Sequence, residues 1–268
     1  MRKIVISLSK GGVSKSTSSV TIAHGLSLKG KRVLLVDLDD QGQDSFLLGV
    51  QPPKGLSDVL LDELPVEQAI FQARPNLFIL AGGKALSGAK RAIGRKDYGA
   101  EQTLSDALQS IENNFDYIIL DTSPSWDTLT INALFYAQEV LTPVSLEVLT
   151  LNSLVEFVKS IESVQRFNKE LKHCYVLPTF FDGRVKKSAE VLELLKKHFS
   201  EKVLSPIRYN VRISESAGFG QTVLEYAPDS HGAADYAKVV ERILTDEQES
   251  NKAIFNASNK AIKNIVTI

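Results

Sequence analysis

Residues 10–17 read Lys10-Gly11-Gly12-Val13-Ser14-Lys15-Ser16-Thr17. They follow a β-branched run, Lys3–Leu8, and open a stretch of small and apolar residues, Ser16–Leu28, that reads as a helix ended by Lys29-Gly30-Lys31. A strand, a glycine turn and a helix in that order make a phosphate cradle. Glycines let the backbone come close and turn its N–H groups inward. The helix start adds the positive end of its dipole. Lys15 can neutralise phosphate oxygens, and the Ser16 hydroxyl can face a hard cation. The strict G-x-x-x-x-G-K-[ST] pattern is not met, because Ser9 and Ser14 stand where it asks for glycine. The variant K-G-G-x-x-K-[ST] is met at every fixed position.

Outward from this loop the chain alternates short apolar strands with helices. Arg32–Asp37, Leu77–Leu80, Tyr117–Leu120, Glu139–Pro143 and Cys174–Pro178 read as strands. Gln102–Ile111, Leu149–Phe167, Ser188–Phe199 and Asp229–Leu244 read as helices, the last capped by Asp229 or Ser230. Such a pattern predicts an α/β fold: a single doubly wound domain over residues 1–246, with a mostly parallel twisted sheet and helices on both faces. Residues 247–268 form a separate tail. Two stretches break the rhythm. Pro52–Gln72 is turn-rich with short helices, and Gly82–Gly99 is a basic surface loop or short helix.

Acids stand at the ends of two strands. Asp37-Leu38-Asp39-Asp40-Gln41-Gly42 closes the second, and Asp121 closes the apolar run Phe115–Asp121. Ligands in open α/β sheets bind at the carboxyl ends of strands, so these carboxylates fall beside the phosphate loop. Asp121 has the logic of a Walker-B acid that holds Mg²⁺, often through water.

Composition narrows the reading. With 31 Lys+Arg against 32 Asp+Glu, the formal net charge is −1, so the chain is not basic in bulk and any nucleic-acid contact needs a local patch. One cysteine, Cys174, excludes a disulfide framework, a four-cysteine zinc site and a thiolate-held cluster within one chain, and fits a reducing compartment. The N-terminus has no long apolar core or cleavage site, so no signal peptide is expected. No apolar run is long enough to span a bilayer. One local patch exists: residues 184–212 carry eight basic side chains, Arg184, Lys186, Lys187, Lys196, Lys197, Lys202, Arg208 and Arg212, against three acids.

The loop and the two acidic motifs, in this order, resemble the ParA/MinD family of deviant Walker-A ATPases, nearest the Soj-like partition and positioning branch. The resemblance runs over roughly residues 2–245 and continues through Thr142-Pro143, Glu147, Leu177-Pro178-Thr179, Asn210–Glu215, Gly220 and Tyr226. It departs at Asp40 and Ser123, where the family usually has proline. The resemblance implies ATP and Mg²⁺ as cofactors, with phosphates held by residues 10–17. Ser16, Asp37, Asp39 and Asp121 would form the metal set. Lys10, Lys15 and Asp39 would be catalytic, Asp39 by positioning the attacking water. The extra lysine, Lys10, would reach across a nucleotide-sandwich homodimer to the partner's phosphates. Loops after the late strands would hold the base, which points to Thr179, Pro206, Ile207 and Arg208.

The resemblance also implies slow ATP hydrolysis, ATP-dependent binding of non-specific DNA through the basic stretch, and stimulation by a ParB-like or cargo-adaptor protein. The expected location is cytoplasmic and nucleoid-associated. The alternative is a MinD-like membrane surface binder. In Ile254–Ile268, Ile254, Ala261, Ile262, Ile265 and Ile268 share one helical face with Lys260 and Lys263 opposite, but two lysines and one aromatic are weak support. Small-molecule ligases share the fold class and lack the late Asn210-Val211-Arg212 segment, which argues against them.

Overall fold

The computed structural model describes the backbone of residues 1–266 and the side chains of residues 1–252 apart from Val148. Seven strands, Arg2–Ile6 (β1), Val33–Asp37 (β2), Phe71–Arg74 (β3), Leu77–Leu80 (β4), Tyr117–Asp121 (β5), Glu139–Ser145 (β6) and Lys172–Thr179 (β7), form one sheet in the order β3-β4-β2-β5-β1-β6-β7. Every pair is parallel except β3 with β4. β2 and β5 are buried at every residue, as continuous apolar strands covered on both faces must be.

The helices are Lys15–Leu28 (α1), Gln43–Leu47 (α2), Leu56–Leu61 (α3), Val66–Ala69 (α4), Leu86–Ile93 (α5), Thr103–Leu108 (α6), Thr128–Tyr136 (α7), Val148–Gln165 (α8), Lys186–Phe199 (α9), Val211–Gly218 (α10), Val223–Tyr226 (α11) and His231–Val266 (α12). Alternate strand residues face opposite layers. Ile4, Ile6, Leu35 and Ile119 pack with Ile22 and Leu26 of α1 and Tyr236, Val240 and Ile243 of α12. Val5, Leu34, Val36, Ile118 and Leu120 pack with Leu56, Leu86, Leu104, Leu129 and Phe157 on the other side. Burial on both faces leaves the carboxyl edge of the sheet as the place for a site.

The register then matters. Asp37 of β2 pairs with Asp121 of β5, and Ile6 of β1 pairs with the same Asp121. The two acids therefore end at one level, next to the loop that leaves β1.

The structure departs from the expectations in a few places. β3 was not foreseen. It is a four-residue, half-exposed edge strand that doubles back through Pro75-Asn76, where Asn76 takes φ 59°, and such a strand has no apolar run to announce it. The expected helix Gln102–Ile111 is a short α-helix between two 3-10 turns. α7 and α10 were not foreseen. The cap of α12 is Ser230, whose hydroxyl accepts from Ala233 N at 3.2 Å. α12 crosses residue 246 without interruption. The amphipathic pattern assigned to Ile254–Ile268 lies outside the described side chains. No described helix is long and apolar enough to cross a membrane.

Candidate functional site

The loop from Lys10 to Ser14 lies over the carboxyl ends of β1, β2 and β5. Gly12 and Ser14 both have left-handed backbones, φ 73° and 71°. Ser14 thus takes a conformation that glycine adopts at less cost, at the position where the strict motif would have glycine. Val13 is buried, and its carbonyl accepts from Thr179 Oγ1 at 3.2 Å, which ties the end of β7 to the loop.

The two lysines of the loop have different surroundings. Lys15 is buried, and its ammonium donates to the Lys10 carbonyl at 2.7 Å, across the mouth of the loop. Burial lowers its pKa, and the charges of Asp121 and Asp39 oppose that shift. Lys10 is half-buried and turns toward the end of β6. Its Nζ donates to Thr150 Oγ1 at 2.6 Å and lies 3.9 Å from Glu147 Oε2. Thr150 is itself hydrogen-bonded to Ser145 at the end of β6, at 2.7 Å.

Beneath the loop is a floor of carboxylates. Asp121 accepts from two serines of α1, Ser16 Oγ at 2.7 Å and Ser19 Oγ at 2.6 Å. These residues stand three apart, so they share one helix face. Asp37 accepts the backbone N–H groups of Asp39 at 2.9 Å and Asp44 at 3.3 Å. Burial, followed by the charge of Asp121, raises the Asp37 pKa to about 8. Burial raises Asp121 to about 6 against the hydrogen bonds from Ser19 and Ser16. Asp44, at the start of α2, is completely buried, and its pKa is pushed well above the usual carboxylate range by burial and then by Asp121 and Asp37. One oxygen each from Asp37, Asp44 and Asp121 lies within 4.8 Å of the others. A floor of oxygen donors with crowded negative charge fits a hard dication such as Mg²⁺.

Asp39 stands apart from this trio. Its Oδ1 accepts from Gln41 N at 3.0 Å, and burial, aided by the adjacent Asp40, raises its pKa. The expected metal set thus divides: Ser16, Asp37 and Asp121 are together, and Asp44, rather than Asp39, completes the group. The extra acid, Asp40, leans outward, with Oδ2 3.7 Å from Lys90 Nζ; Lys90 also holds Asp127 at 2.7 Å. Ser123 donates to the same Asp127 at 2.9 Å. Lys90 therefore pins the loops after β2 and β5 to each other, and it offsets part of the charge of Asp40.

Gly82, just after β4, is part of the floor by what it lacks. A Cβ there would come within 2.6 Å of Asp37 Oδ1 and 2.7 Å of the Asp39 carbonyl.

Pro206–Arg208 runs beside the end of β7, with Ile207 N donating to the Pro178 carbonyl at 2.8 Å. The Ile207 side chain is buried in the core with Tyr236. Arg208 is clamped on buried Asp235 at 2.7 and 2.8 Å, which offsets its charge. On α9, Lys186 and Lys187 approach Glu190, and Lys196 pairs with Glu193. Arg184 pairs with Asp182, and Arg212 with Glu215. Among the described residues neither Lys197 nor Lys202 is in an ion pair.

Residues 1–173 match a family model described as an AAA domain. The chain is also 35% identical, over 252 residues, to the chromosome-partitioning ATPase Soj of Thermus thermophilus, covering 93% of this chain and 98% of that one. The chain belongs to the ParA/MinD family of ATPases. Among solved structures of the same fold, a Mycobacterium smegmatis protein named cobyrinic acid a,c-diamide synthase, with bound ATP analogue and magnesium, superposes with a TM-score of 0.81 at 30% identity, covering 93% of this chain and 97% of that one. The Pyrococcus furiosus cell division ATPase MinD superposes with a TM-score of 0.75 at 25% identity, covering 91% and 98%. Proteins related to this ParA/MinD chain thus hold nucleotide and magnesium on this fold.

Motif reading found the loop, Asp37, Asp39 and Asp121 in this ParA/MinD chain. It missed Ser19, Asp44, Gly82, Lys90, Asp127 and Thr150. Only Ser19, three residues after Ser16 on a helix, carried a usable spacing signal. The others reach the site through tertiary contacts alone.

Proposed function

We propose that this partition or positioning ATPase is a Mg-ATP-driven dimer that holds non-specific DNA in its ATP state and lets go after hydrolysis stimulated by a cargo-marking partner protein. The observation that carries this reading is the division between the two loop lysines. Lys15 is sunk across its own cradle, while Lys10 points out of it, resting on Thr150. Lys10 would exchange Thr150 and Glu147 for the phosphates of a second protomer, and the γ-phosphate would become the tie that holds two copies together.

Residues 11–17 would bind the phosphates through backbone N–H groups, with Lys15 against the β- and γ-oxygens. Ser16, Asp37 and Asp121 would hold the metal, directly or through water. Bound there, Mg²⁺ would neutralise charge on the transferring phosphoryl group. Asp39, beside the floor with a raised pKa, would orient and deprotonate the attacking water. The base would lie near Thr179 and Pro206. On the outer face, Lys186, Lys187, Lys196, Lys197 and Lys202 would track DNA phosphates, with Arg184 and Arg212 at the edges. That placement implies a nucleoid-associated protein.

The test is binding of the full chain to non-specific duplex DNA with no nucleotide, ADP or ATP, over a salt series. Binding that requires ATP, falls steeply with salt and is lost in Lys10→Ala and Lys15→Ala supports the reading. DNA binding that ignores nucleotide, or no binding at all, sinks it. The 30% identity to a protein named as a diamide synthase favours a second reading, an amide-forming ligase. ATP turnover with DNA alone, and no carboxylic acid substrate, speaks against that reading.

A further inference from the structure

The three carboxylates of the floor are not equivalent. Asp37 spends its two oxygens on two backbone N–H groups, and Asp121 spends its two on the hydroxyls of Ser16 and Ser19. Asp44 is equally buried, and neither of its oxygens has a partner. Buried polar atoms are almost always satisfied, and an orphaned carboxyl wants an ion or a bound water. Asp44 is not stranded at random. An oxygen of it lies within 4.8 Å of one from Asp37 and one from Asp121, close enough for the three to converge on a single ion. Its own N–H bonds to Asp37, which ties it to the carboxylate it faces.

Three buried carboxylates crowd one point, and a dication bound there would displace the protons that burial keeps on them. The donors are oxygens only, and no His or Cys belongs to the group, so the site suits Mg²⁺ or Mn²⁺ over softer metals.

We propose that Asp44 joins Asp37 and Asp121 as the third carboxylate ligand of a divalent-cation site that fills before nucleotide binds. The inference rests on the reading of this floor as the metal side of the ATP pocket, and it adds both a ligand and an order of loading. In an ATP pocket whose metal arrives with the nucleotide, phosphate oxygens supply much of the coordination. Here the protein itself supplies three carboxylates at one point.

The probe is Mn²⁺, followed by electron paramagnetic resonance on the full chain stripped with EDTA, with and without a non-hydrolysable ATP analogue. Expected without nucleotide is one bound Mn²⁺ in the wild type and at least tenfold weaker binding in both Asp44→Ala and Asp44→Asn. Mn²⁺ should also raise the melting temperature of the wild type alone. Neither substitution breaks a side-chain hydrogen bond, since Asp44 makes none, and its N–H remains for Asp37. If the wild type takes Mn²⁺ only with the analogue present, the proposal falls and the metal-nucleotide reading stands. If either variant binds Mn²⁺ without nucleotide less than tenfold more weakly than the wild type, Asp44 is not a ligand and the proposal falls. If the wild type binds no Mn²⁺ in either condition, both fall.

Discussion

The floor under the phosphate loop and the outer face of α9 are both charged, and they hold their charge in opposite ways. On the floor, like charges are packed out of water within a few ångströms of each other. Such an arrangement is costly until a counter-charge arrives, and the cost shows in carboxylates held well above their usual range. On α9 the lysines stand in water, several leaning on glutamates of their own helix. Each such pair is worth little, and salt weakens it further. The difference teaches where specificity and sensitivity should lie. A change of one atom on the floor alters chemistry. A change of a whole lysine on α9 alters a sum.

The sharpest break is Lys15→Ala. Among the described residues it removes the one buried cation that faces Asp121 and Asp39, and turnover of ATP should fall by about 10²-fold or more in a phosphate-release assay. Gly82→Ala comes next. Its methyl group must displace Asp37 or the Asp39 carbonyl, so thermal or urea unfolding should show a loss of about 1–3 kcal/mol, with nucleotide affinity reduced alongside. If Gly82→Ala is as stable and as active as the wild type, the floor is softer than its geometry says.

The third test addresses the other side of the comparison. Lys196→Ala or Lys197→Ala should weaken DNA binding only a few-fold and lower the salt slope by about one, uniformly across DNA sequences. A single lysine whose loss abolished binding would mean that α9 holds a specific contact rather than a distributed charge.

A separate effect is one of pH, at His173 on β7 beside α9. Burial, with Lys202 nearby, lowers its pKa to about 4, and its Nε2 is 3.0 Å from Thr142 Oγ1. The folded state thus binds fewer protons there than the unfolded one between about pH 6.5 and 4, so stability falls as pH falls through that window. Melting followed from pH 7 to pH 4.5 should show an acid loss of the order of 1–2 kcal/mol that His173→Gln reduces. An unchanged profile in that variant would assign the acid loss to other groups.

The sequence carried most of the sheet and half of the floor. Buried parallel strands are written as unbroken apolar runs, and six of them were legible for that reason. β3 was not, because a half-exposed edge strand needs no such run. Asp37 and Asp121 were legible because they end those runs. Asp44 was not. It sits in the first turn of a five-residue helix, where an acid ordinarily means a cap or a solvated side chain, and only the fold turns it inward. Lys90 came from a stretch that read as a basic surface, yet its ammonium is spent on Asp40 and Asp127. Arg208 shows the same limit from the other side: a count of charges includes it, and the count does not show that buried Asp235 is its partner.

The pairing of Asp37 with Asp121 across β2 and β5 also sets a timetable. The loop, its two serines, the second strand and the fifth come from segments spread over the first 121 residues, and the rest of Lys10 comes from Thr150. No early fragment of the chain can own the pocket. Contacts of such long sequence separation form slowly. A nascent chain therefore emerges without a place for nucleotide and acquires one only when the central strands close in register. Ligand added during refolding should consequently act late, locking a finished sheet rather than guiding an unfinished one.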